Sequence, residues 1–372
     1  MNRLVRILTL LATIALLGAC SGTPASSAPS SAPSTAPSSQ PSTSAAASVA
    51  ASGSAAASGD ITLPPPEVTD LKLGVAAFII GNEPPYIAQD TGVFTKRGLK
   101  VELIPFEGDG PAGQALAAGQ IDGAFMGGGP VLSANAAGEP LRIVFNMLAV
   151  PTDSIVTPVA IKSADDLRGK KIAISTFGGD SHTSVVTALK ALGLQQSDVT
   201  IVQVGGQSDR YAAVQSGAVQ GAPVEGITDD ELAKLGLHRL IDLRQSGLRL
   251  VRAGLALPAD FIAKNPNTTL NLVAALMEGE HTMLTDHDLA VQEFMKVGSV
   301  EKEEAEANVD PIVLDQIDPT GRVTDAMLDL QKEALVVANE AVSNVKSSDT
   351  YTNQFIDQLD QLGLIKALGI TQ

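Results

Sequence analysis

The sequence predicts an α/β protein built from two similar lobes that are joined by two crossover strands and followed by a helical C-terminal tail. Three observations support this fold class. The globular part contains an internal repeat, each copy alternates short β-branched runs with stretches of helical spacing, and only helical spacing follows Pro258. Such alternation is typical of βαβ units, in which helices connect parallel strands.

The repeat is visible when the chain is shifted by 98 residues. Residues 115–124 (ALAAGQIDGA) then align with 213–222 (AVQSGAVQGA), and 101–104 (VELI) align with 199–202 (VTIV). Each copy has the order strand, helix, strand, helix, strand, so each should form its own sheet. Two lobes joined by two crossings form a cleft that can close about a hinge.

The elements follow from the apolar spacing and the turn residues. In the first copy we predict strands at 71–77, 101–106, 123–126 and 141–149, and helices at 84–91, 111–118 and 130–137. Each of these helices begins with proline, which the first helical turn tolerates. In the second copy we predict strands at 171–175, 199–204 and 221–224, and helices at 181–192 and 209–216. The tail should form helices at 269–284, 288–297, 302–308, 324–345 and 353–362, packed on the first lobe.

The predicted division assigns 67–158 and 252–372 to lobe 1 with its tail, and 159–251 to lobe 2. The apolar segments 155–161 and 249–257 flank the second copy and are predicted to be the two crossover strands.

The first 66 residues are predicted to be an address and a tether. Residues 1–20 combine two arginines, an apolar run at 7–17 and small residues before Cys20, which is typical of a secretory signal peptide. The run is too short for a membrane-spanning helix. The sequence LGAC resembles a bacterial lipobox, which implies a lipidated Cys20; ordinary cleavage near Ala19 is the alternative. Residues 21–66 are rich in Ser, Ala and Pro and are predicted to be a disordered tether.

Composition excludes several classes of function. The formal net charge of −16 argues against nucleic acid as a partner. The single cysteine excludes a disulfide framework, and the histidines show no metal-ligand spacing, so no metal is expected. The motif G-x-G-x-x-G at 108–113 follows the second strand instead of the first, so we reject a dinucleotide site, and no cofactor is expected. No nucleophile–base constellation is found, so the protein is expected not to be an enzyme.

Five segments carry a resemblance to a known family: 86–94 (YIAQDTGVF), 97–102 (RGLKVE), 115–122 (ALAAGQID), 166–173 (DLRGKKIA) and 260–266 (DFIAKNP). In this order they resemble the nitrate/sulfonate/taurine and thiamine-pyrimidine class of periplasmic solute-binding proteins. The resemblance implies the type II periplasmic-binding-protein fold and the solute-receptor role of an ABC importer. Such a receptor would be an exported monomer at the outer face of the cytoplasmic membrane, with a small-molecule solute and a membrane permease as partners.

Candidate ligand-binding residues lie on loops after the strands, because ligands of open parallel sheets bind at the carboxyl ends of the strands. Glycines there let the backbone approach a ligand, and aromatic rings hold a flat solute. Core packing of the rings, tight turns at the glycines and helix capping by Asp180 or Ser181 are the alternatives. The candidates are Phe78, Glu83, Tyr86, Asp109, Gly110, Gly128, Gly129, Phe177, Gly178, Asp180, Ser181, His182 and Glu225.

The charges on these loops bear on the solute. Five carboxylates, on Glu83, Glu107, Asp109, Asp180 and Glu225, face Arg210 as the evident cation. This balance favours a neutral, zwitterionic or cationic compound such as a pyrimidine or an amine, whereas the resemblance implies sulfonates or nitrate. Solvated acids at the rim would also explain the pattern.

Two other functions remain open on the same fold. A surface lipoprotein could sense a ligand or present the cleft to a partner protein. Pyrimidine synthases resemble this architecture too, but they need a cysteine cluster that handles iron, and this chain has one cysteine.

Overall fold

The structure is a computed structural model that describes residues 61–370 except residues 77, 107, 176 and 226. The predicted signal peptide, Cys20 and residues 21–60 of the tether lie outside the described residues, as does Glu107. Within the described part, no helix is both long and apolar enough to cross a membrane.

The described residues form two groups of strands. In chain order the strands are β1 (Asp70–Val75), β2 (Lys100–Pro105), β3 (Gly123–Met126), β4 (Leu141–Leu148), β5 (Ser154–Pro158), β6 (Lys171–Ile174), β7 (Thr200–Gln203), β8 (Ala222–Val224), β9 (Leu237–Asp242) and β10 (Ala253–Pro258).

Helices cover the faces of the strands and make up the C-terminal tail. They are α1 (Pro84–Asp90), α2 (Val93–Lys96), α3 (Asp109–Ala117), α4 (Gly128–Ala136), α5 (Asp180–Ala191), α6 (Gln207–Gln215), α7 (Asp229–Lys234), α8 (Ala259–Lys264), α9 (Pro266–Thr285), α10 (His287–Gly298), α11 (Lys302–Asn308), α12 (Pro311–Leu314), α13 (Asp325–Ala338), α14 (Gln354–Gln361) and α15 (Leu364–Ala367).

The two lobes share one topology. In the first lobe the strand order is β2-β1-β3-β10-β4, with β1 parallel to β2 and β3, and β10 antiparallel to β3 and β4. In the second lobe β6 pairs in parallel with β7, and β5 lies antiparallel between β8 and β9. A parallel bridge between Ile172 and Gly221 joins these two groups, which gives the matching order β7-β6-β8-β5-β9. The predicted fold of two mixed-sheet lobes is confirmed.

The predicted places of the two crossings were wrong. The chain passes between the lobes at 149–153 and again at 246–252, because β5 pairs with strands of the second lobe and β10 with strands of the first. The predicted segments, 155–161 and 249–257, are apolar because they contain β5 and β10, which are internal strands buried on both faces. The same apolar pattern therefore fits an internal strand and a crossover strand equally well.

The tail packs mainly on the first lobe, as predicted, but one helix also reaches the second. Helix α9 lies along α1 and against β4, whereas α13 contacts both α4 of the first lobe and α5 of the second. Two ion pairs follow the same path. Lys190 Nζ on α5 lies 2.7 Å from Glu333 Oε1 on α13, and Arg244 after β9 pairs with Asp310 before α12. The lobes are therefore bridged in this conformation.

Candidate functional site

Four carboxylates meet around one guanidinium between the lobes. Asp109 begins α3, Asp180 begins α5, and Glu225 follows β8, so all three lie at carboxyl ends of parallel strands. Asp153 ends the first crossing, and Arg252 ends the second. We call these five residues the interlobe cluster. Both sheets point their carboxyl ends at it, where open α/β folds bind ligands.

Arg252 links the members of the cluster. Its Nη1 donates to Asp180 Oδ2 at 2.8 Å, and its Nη2 donates to Glu225 Oε1 at 3.1 Å. The same Glu225 oxygen accepts a hydrogen bond from Thr152 Oγ1 at 2.5 Å. Arg252 of the second crossing thus bonds two loops of the second lobe, and Thr152 of the first crossing bonds one of them.

Two carboxyl groups of the cluster have pKa values raised to near neutral pH. Burial, together with the nearby Asp180 carboxylate, raises the pKa of Asp109 to about 6 against the opposing effect of Arg252. Burial and the Glu225 carboxylate raise the pKa of Asp153 to about 7, although Arg252 and the Ser184 hydroxyl oppose this. The guanidinium groups of Arg252 and the nearby Arg210 do not fully neutralise four carboxylates in a space with little water.

The ion pairs shift Glu225 and Arg252 towards their charged forms. Burial opposes this shift for Glu225, but Arg252 and the Thr152 hydroxyl lower the pKa of the carboxyl below its ordinary value. Burial likewise opposes the charged form of Arg252, but the carboxylates of Asp180, Glu225 and Asp153 raise its pKa above the ordinary value. Arg252 therefore stays charged, and it is the cation that forms ion pairs with Asp180 and Glu225.

Arg210, the cation named from the sequence, has a structural contact set. It is 6% exposed, and its guanidinium donates to the carbonyl oxygens of Gly205 and Pro223. These bonds tie α6 to β8. The interlobe cation is Arg252, which the sequence analysis did not name because the segment around it was assigned to a strand.

Helix α13 covers three of the predicted glycine positions. A Cβ atom on Gly128 would lie 2.4 Å from Gln331 Oε1, and the positions at Gly129 and Gly178 lie against Leu335 and Ala338 of α13. The close backbone approach that glycine permits is thus used by the protein's own helix. Gly110 is exposed, with no heavy atom within 4 Å of its Cβ position, and stays available to a ligand.

The predicted aromatic residues lie in two different environments. Phe78 and Tyr86 form an edge-on pair with ring centroids 5.8 Å apart, and Phe78 also packs at 4.7 Å on Phe294 of α10. Phe78 therefore belongs to the packing between α1 and α10. Phe177 is 42% exposed beside the start of α5, with its ring edge-on to His182 at 5.2 Å. Phe177 is the predicted ring that a solute can reach.

Glu83 lies inside the first lobe instead of on its surface. Glu83 is 0% exposed, and neither carboxyl oxygen makes a hydrogen bond of good geometry within the described residues, although the backbone N–H of Phe294 lies near enough to oppose the rise of its pKa. Burial, with a contribution from Glu293, raises the pKa of this carboxyl to about 9. Glu83 therefore lies beside Glu293 and Phe294 of α10.

Ser181 and His182 support the loop before α5. Ser181 Oγ, on a residue 6% exposed, accepts from the Ser175 amide at 2.7 Å. His182 is 0% exposed, its Nδ1 accepts from the Gly178 amide at 3.0 Å, and burial lowers its pKa. Both side chains therefore fix the turn that presents Phe177 and Asp180.

A cavity of about 410 Å³ adjoins the cluster through Glu225. Gln207 holds the backbone of Glu225 by two hydrogen bonds, of 3.0 and 3.1 Å. Tyr211 contributes a buried hydroxyl for which no partner exists among the described residues. The lining residues are Gln207, Tyr211, Glu225, Ile227, Glu231, Lys234 and Leu235.

The family follows from a match that covers more than half of the chain. The family model described as NMT1/THI5 like matches residues 82–290, which include strands β2 to β10 and therefore most of the strands of both lobes. The chain belongs to the NMT1/THI5-like family. The class inferred from the five sequence segments is thereby confirmed.

Relatives of this NMT1/THI5-like protein include binding proteins and an enzyme. It is 27% identical over 213 residues to the riboflavin-binding protein RibY of Chloroflexus aurantiacus, which covers 56% of this chain and 60% of that protein. It is 24% identical over 228 residues to a 4-amino-5-hydroxymethyl-2-methylpyrimidine phosphate synthase of Aspergillus parasiticus, covering 57% of this chain and 66% of that protein.

A solved structure shows the fold. The periplasmic aliphatic sulphonate binding protein SsuA of Escherichia coli superimposes with a TM-score of 0.60 at 22% identity, covering 75% of this chain and 95% of that one. The NMT1/THI5-like protein therefore has the periplasmic-binding-protein fold. The interlobe cluster occupies the region between the lobes of that fold.

Proposed function

We propose that this protein is a lipid-anchored, extracytoplasmic solute receptor of an ABC-type importer, and that it closes its cleft on a small organic solute. The observation that carries the proposal is the interlobe cluster: charged groups from both crossings and from loops of both lobes converge where two identically wound sheets point their carboxyl ends. The family and the fold support the same role. The permease would contact lobe surfaces beside the cleft mouth.

Solute binding tests the proposal by thermal unfolding of the purified protein against sulfonates, nitrate, pyrimidines, amines, amino acids and riboflavin. A true ligand at 100 times its dissociation constant adds about 2.7 kcal/mol, which corresponds to an increase of several degrees in Tm. Because the chain contains no Trp, a dye or calorimetry is the suitable readout. Absence of any shift across all classes, together with native mass spectra of an empty protein, would contradict the receptor role.

Lipid anchoring is tested at Cys20, which lies outside the described residues. In a bacterial host, Cys20→Ser should move the protein from the membrane fraction to the soluble fraction and remove incorporation of a labelled fatty acid, whereas Ser21→Ala should change neither. Equal membrane association of Cys20→Ser and the parent chain would contradict the anchor.

The similarity to a pyrimidine phosphate synthase favours an enzyme as the second candidate. The chain has a single cysteine, and the described residues contain no group of three or more His, Cys, Asp or Glu that could hold a metal ion. Formation of a pyrimidine product by the purified protein, followed by mass spectrometry, would support the enzyme over the receptor.

A further inference from the structure

We propose that the solute is a small organic cation whose charged group replaces the Arg252 guanidinium among the carboxylates of the interlobe cluster. This inference rests on the proposed receptor function and names its solute class. In the described conformation, Arg252 occupies the position that the solute's ammonium or amidinium group would take.

The first support is the charge of the cluster. Asp180 and Glu225 bond Arg252, and the charges of Asp109 and Asp153 also act on it. The charge of the buried Arg210 acts on Asp153 and Glu225 as well, although its hydrogen bonds go to backbone carbonyls. Four carboxyl groups still outnumber two guanidinium groups. An anionic solute would have to enter beside these carboxylates, and like charges in a poorly solvated space repel strongly. A cation removes the excess.

The second support is how Arg252 is held. Its Nη1 and Nη2 are bonded, but Nε is buried and has no partner among the described residues. A buried donor without a partner costs free energy that the ion pairs must offset. Arg252 is also at the end of a crossing, with its side chain 17% exposed, so it can turn towards solvent. A solute whose donors are all satisfied would displace it.

The third support is space and apolar surface beside the charges. The cavity of about 410 Å³ in the second lobe that adjoins Glu225 is within the range of small-molecule sites. Tyr211, Ile227 and Leu235 give it apolar surface, and the charges of Glu231 and Lys234 on its lining have opposite signs. The buried Tyr211 hydroxyl has no partner among the described residues and can bond a polar atom of the solute. On the other side of Asp180, the exposed ring of Phe177 offers a face to a cation.

The affinity for a cation should depend on pH through the carboxyl groups of the cluster. Binding of a cation needs ionised Asp109 and Asp153, so affinity should rise between pH 5 and pH 8 as groups with pKa values of about 6 and about 7 lose their protons. A quaternary ammonium probe such as choline keeps its charge throughout, so it isolates the protein's titration. The charged groups that face the cluster are Asp109 on α3, Asp153 and Arg252 on the crossings, Asp180 on α5, Arg210 on α6 and Glu225 after β8.

The test uses calorimetric titration of the full chain with two matched probe sets. The cations are choline, agmatine and 2-phenylethylamine, and the anions are ethanesulfonate, propanesulfonate and nitrate. We expect at least one cation to bind more tightly than every anion. Asp180→Asn, at a half-exposed side chain, should weaken that cation about tenfold, and Arg252→Gln should strengthen it or leave it unchanged. Arg168→Gln, which removes partly exposed ion pairs with Asp165 and Asp198 ahead of β6, is the control and should have no effect.

The outcomes distinguish failure of the cation assignment from failure of the proposed receptor function. Tight binding of an anion that Arg252→Gln abolishes would overturn the cation assignment and leave the receptor function intact. Cation binding that is indifferent to Asp180→Asn and to pH would also overturn it. Absence of binding by either set and by the wider panel would contradict the receptor function itself. If Arg252→Gln fails to fold, Asp180→Asn and Asp109→Asn still decide the question.

Discussion

Replacing Glu83 with glutamine is expected to raise the free energy of unfolding at pH 7 by about 3 kcal/mol. Glu83 is 0% exposed, its carboxyl makes no hydrogen bond of good geometry within the described residues, and burial raises its pKa from 4.5 to about 9. The folded protein therefore keeps a proton that the unfolded chain releases. The contribution of Glu83 to the free energy of unfolding of the wild type is fully present below about pH 4.5. It falls by about 1.4 kcal/mol per pH unit as the pH rises towards 9. Glutamine has no such loss.

Chemical unfolding of the wild type and Glu83→Gln between pH 4.5 and pH 8.5 measures the effect. The difference should be near zero at the acid end and grow with pH, while Glu139→Gln, at an exposed position, should give a flat, small difference. Glu280→Gln should behave like Glu83→Gln, because Glu280 is 0% exposed and burial raises the pKa of its carboxyl. A changed solute affinity in Glu83→Gln would return Glu83 to the ligand site, contrary to its position between α1 and α10.

Replacing Gly128 with alanine is expected to destabilise the protein by about 2 to 4 kcal/mol, through the loss of buried hydrogen bonds. The new Cβ would lie 2.4 Å from Gln331 Oε1 and 2.8 Å from Leu328 Cδ2. Gln331 cannot yield easily, since its amide accepts from the Val251 N–H at 3.2 Å and donates to the Val251 carbonyl at 3.1 Å. The substitution therefore pushes α13 away from the second crossing.

Gly129→Ala is the matched control for this experiment. It lies in the same helical turn, and its Cβ position is 3.6 Å from Leu335, which is an ordinary contact. Alanine favours the helix over glycine, so Gly129→Ala should be neutral or slightly stabilising in denaturant titration. Equal midpoints for Gly128→Ala and Gly129→Ala would show that the contact between α13 and the crossing does not contribute to stability.

The secondary structure of both copies was accessible from the sequence because it depends on local spacing. The predicted strand at 123–126 matches β3, and the predicted helix at 302–308 matches α11. Strand β9 was missed because Leu237–Asp242 has one buried residue followed by half-buried ones, which is a weak strand pattern. Helix α7 was missed although Thr228 and Glu231 form a capping box, a signal that the sequence contains.

The candidate site was accessible only in part. Asp109, Asp180 and Glu225 were found because position after a strand is a sequence property, and the structure brings them together at the interlobe cluster. Arg252 and Asp153 were missed because each lies in a crossing whose place depends on which sheet its neighbouring strand joins. Gly128 and Gly178 were assigned to the ligand by their loops, although α13, about 200 and 150 residues further along the chain, fills the space beside them.

The sequence by itself determined the two repeated α/β lobes, the helical tail, the acidic character and the family, since these depend on periodicity, composition and ordered motifs. Only the tertiary structure decided which sheet receives β5 and β10, which carboxylates share one guanidinium, and which glycines a helix covers. The physical reason is that strand pairing, burial of charge and packing between distant segments are properties of groups brought together by the fold. The spacing of residue types along the sequence does not determine those distances.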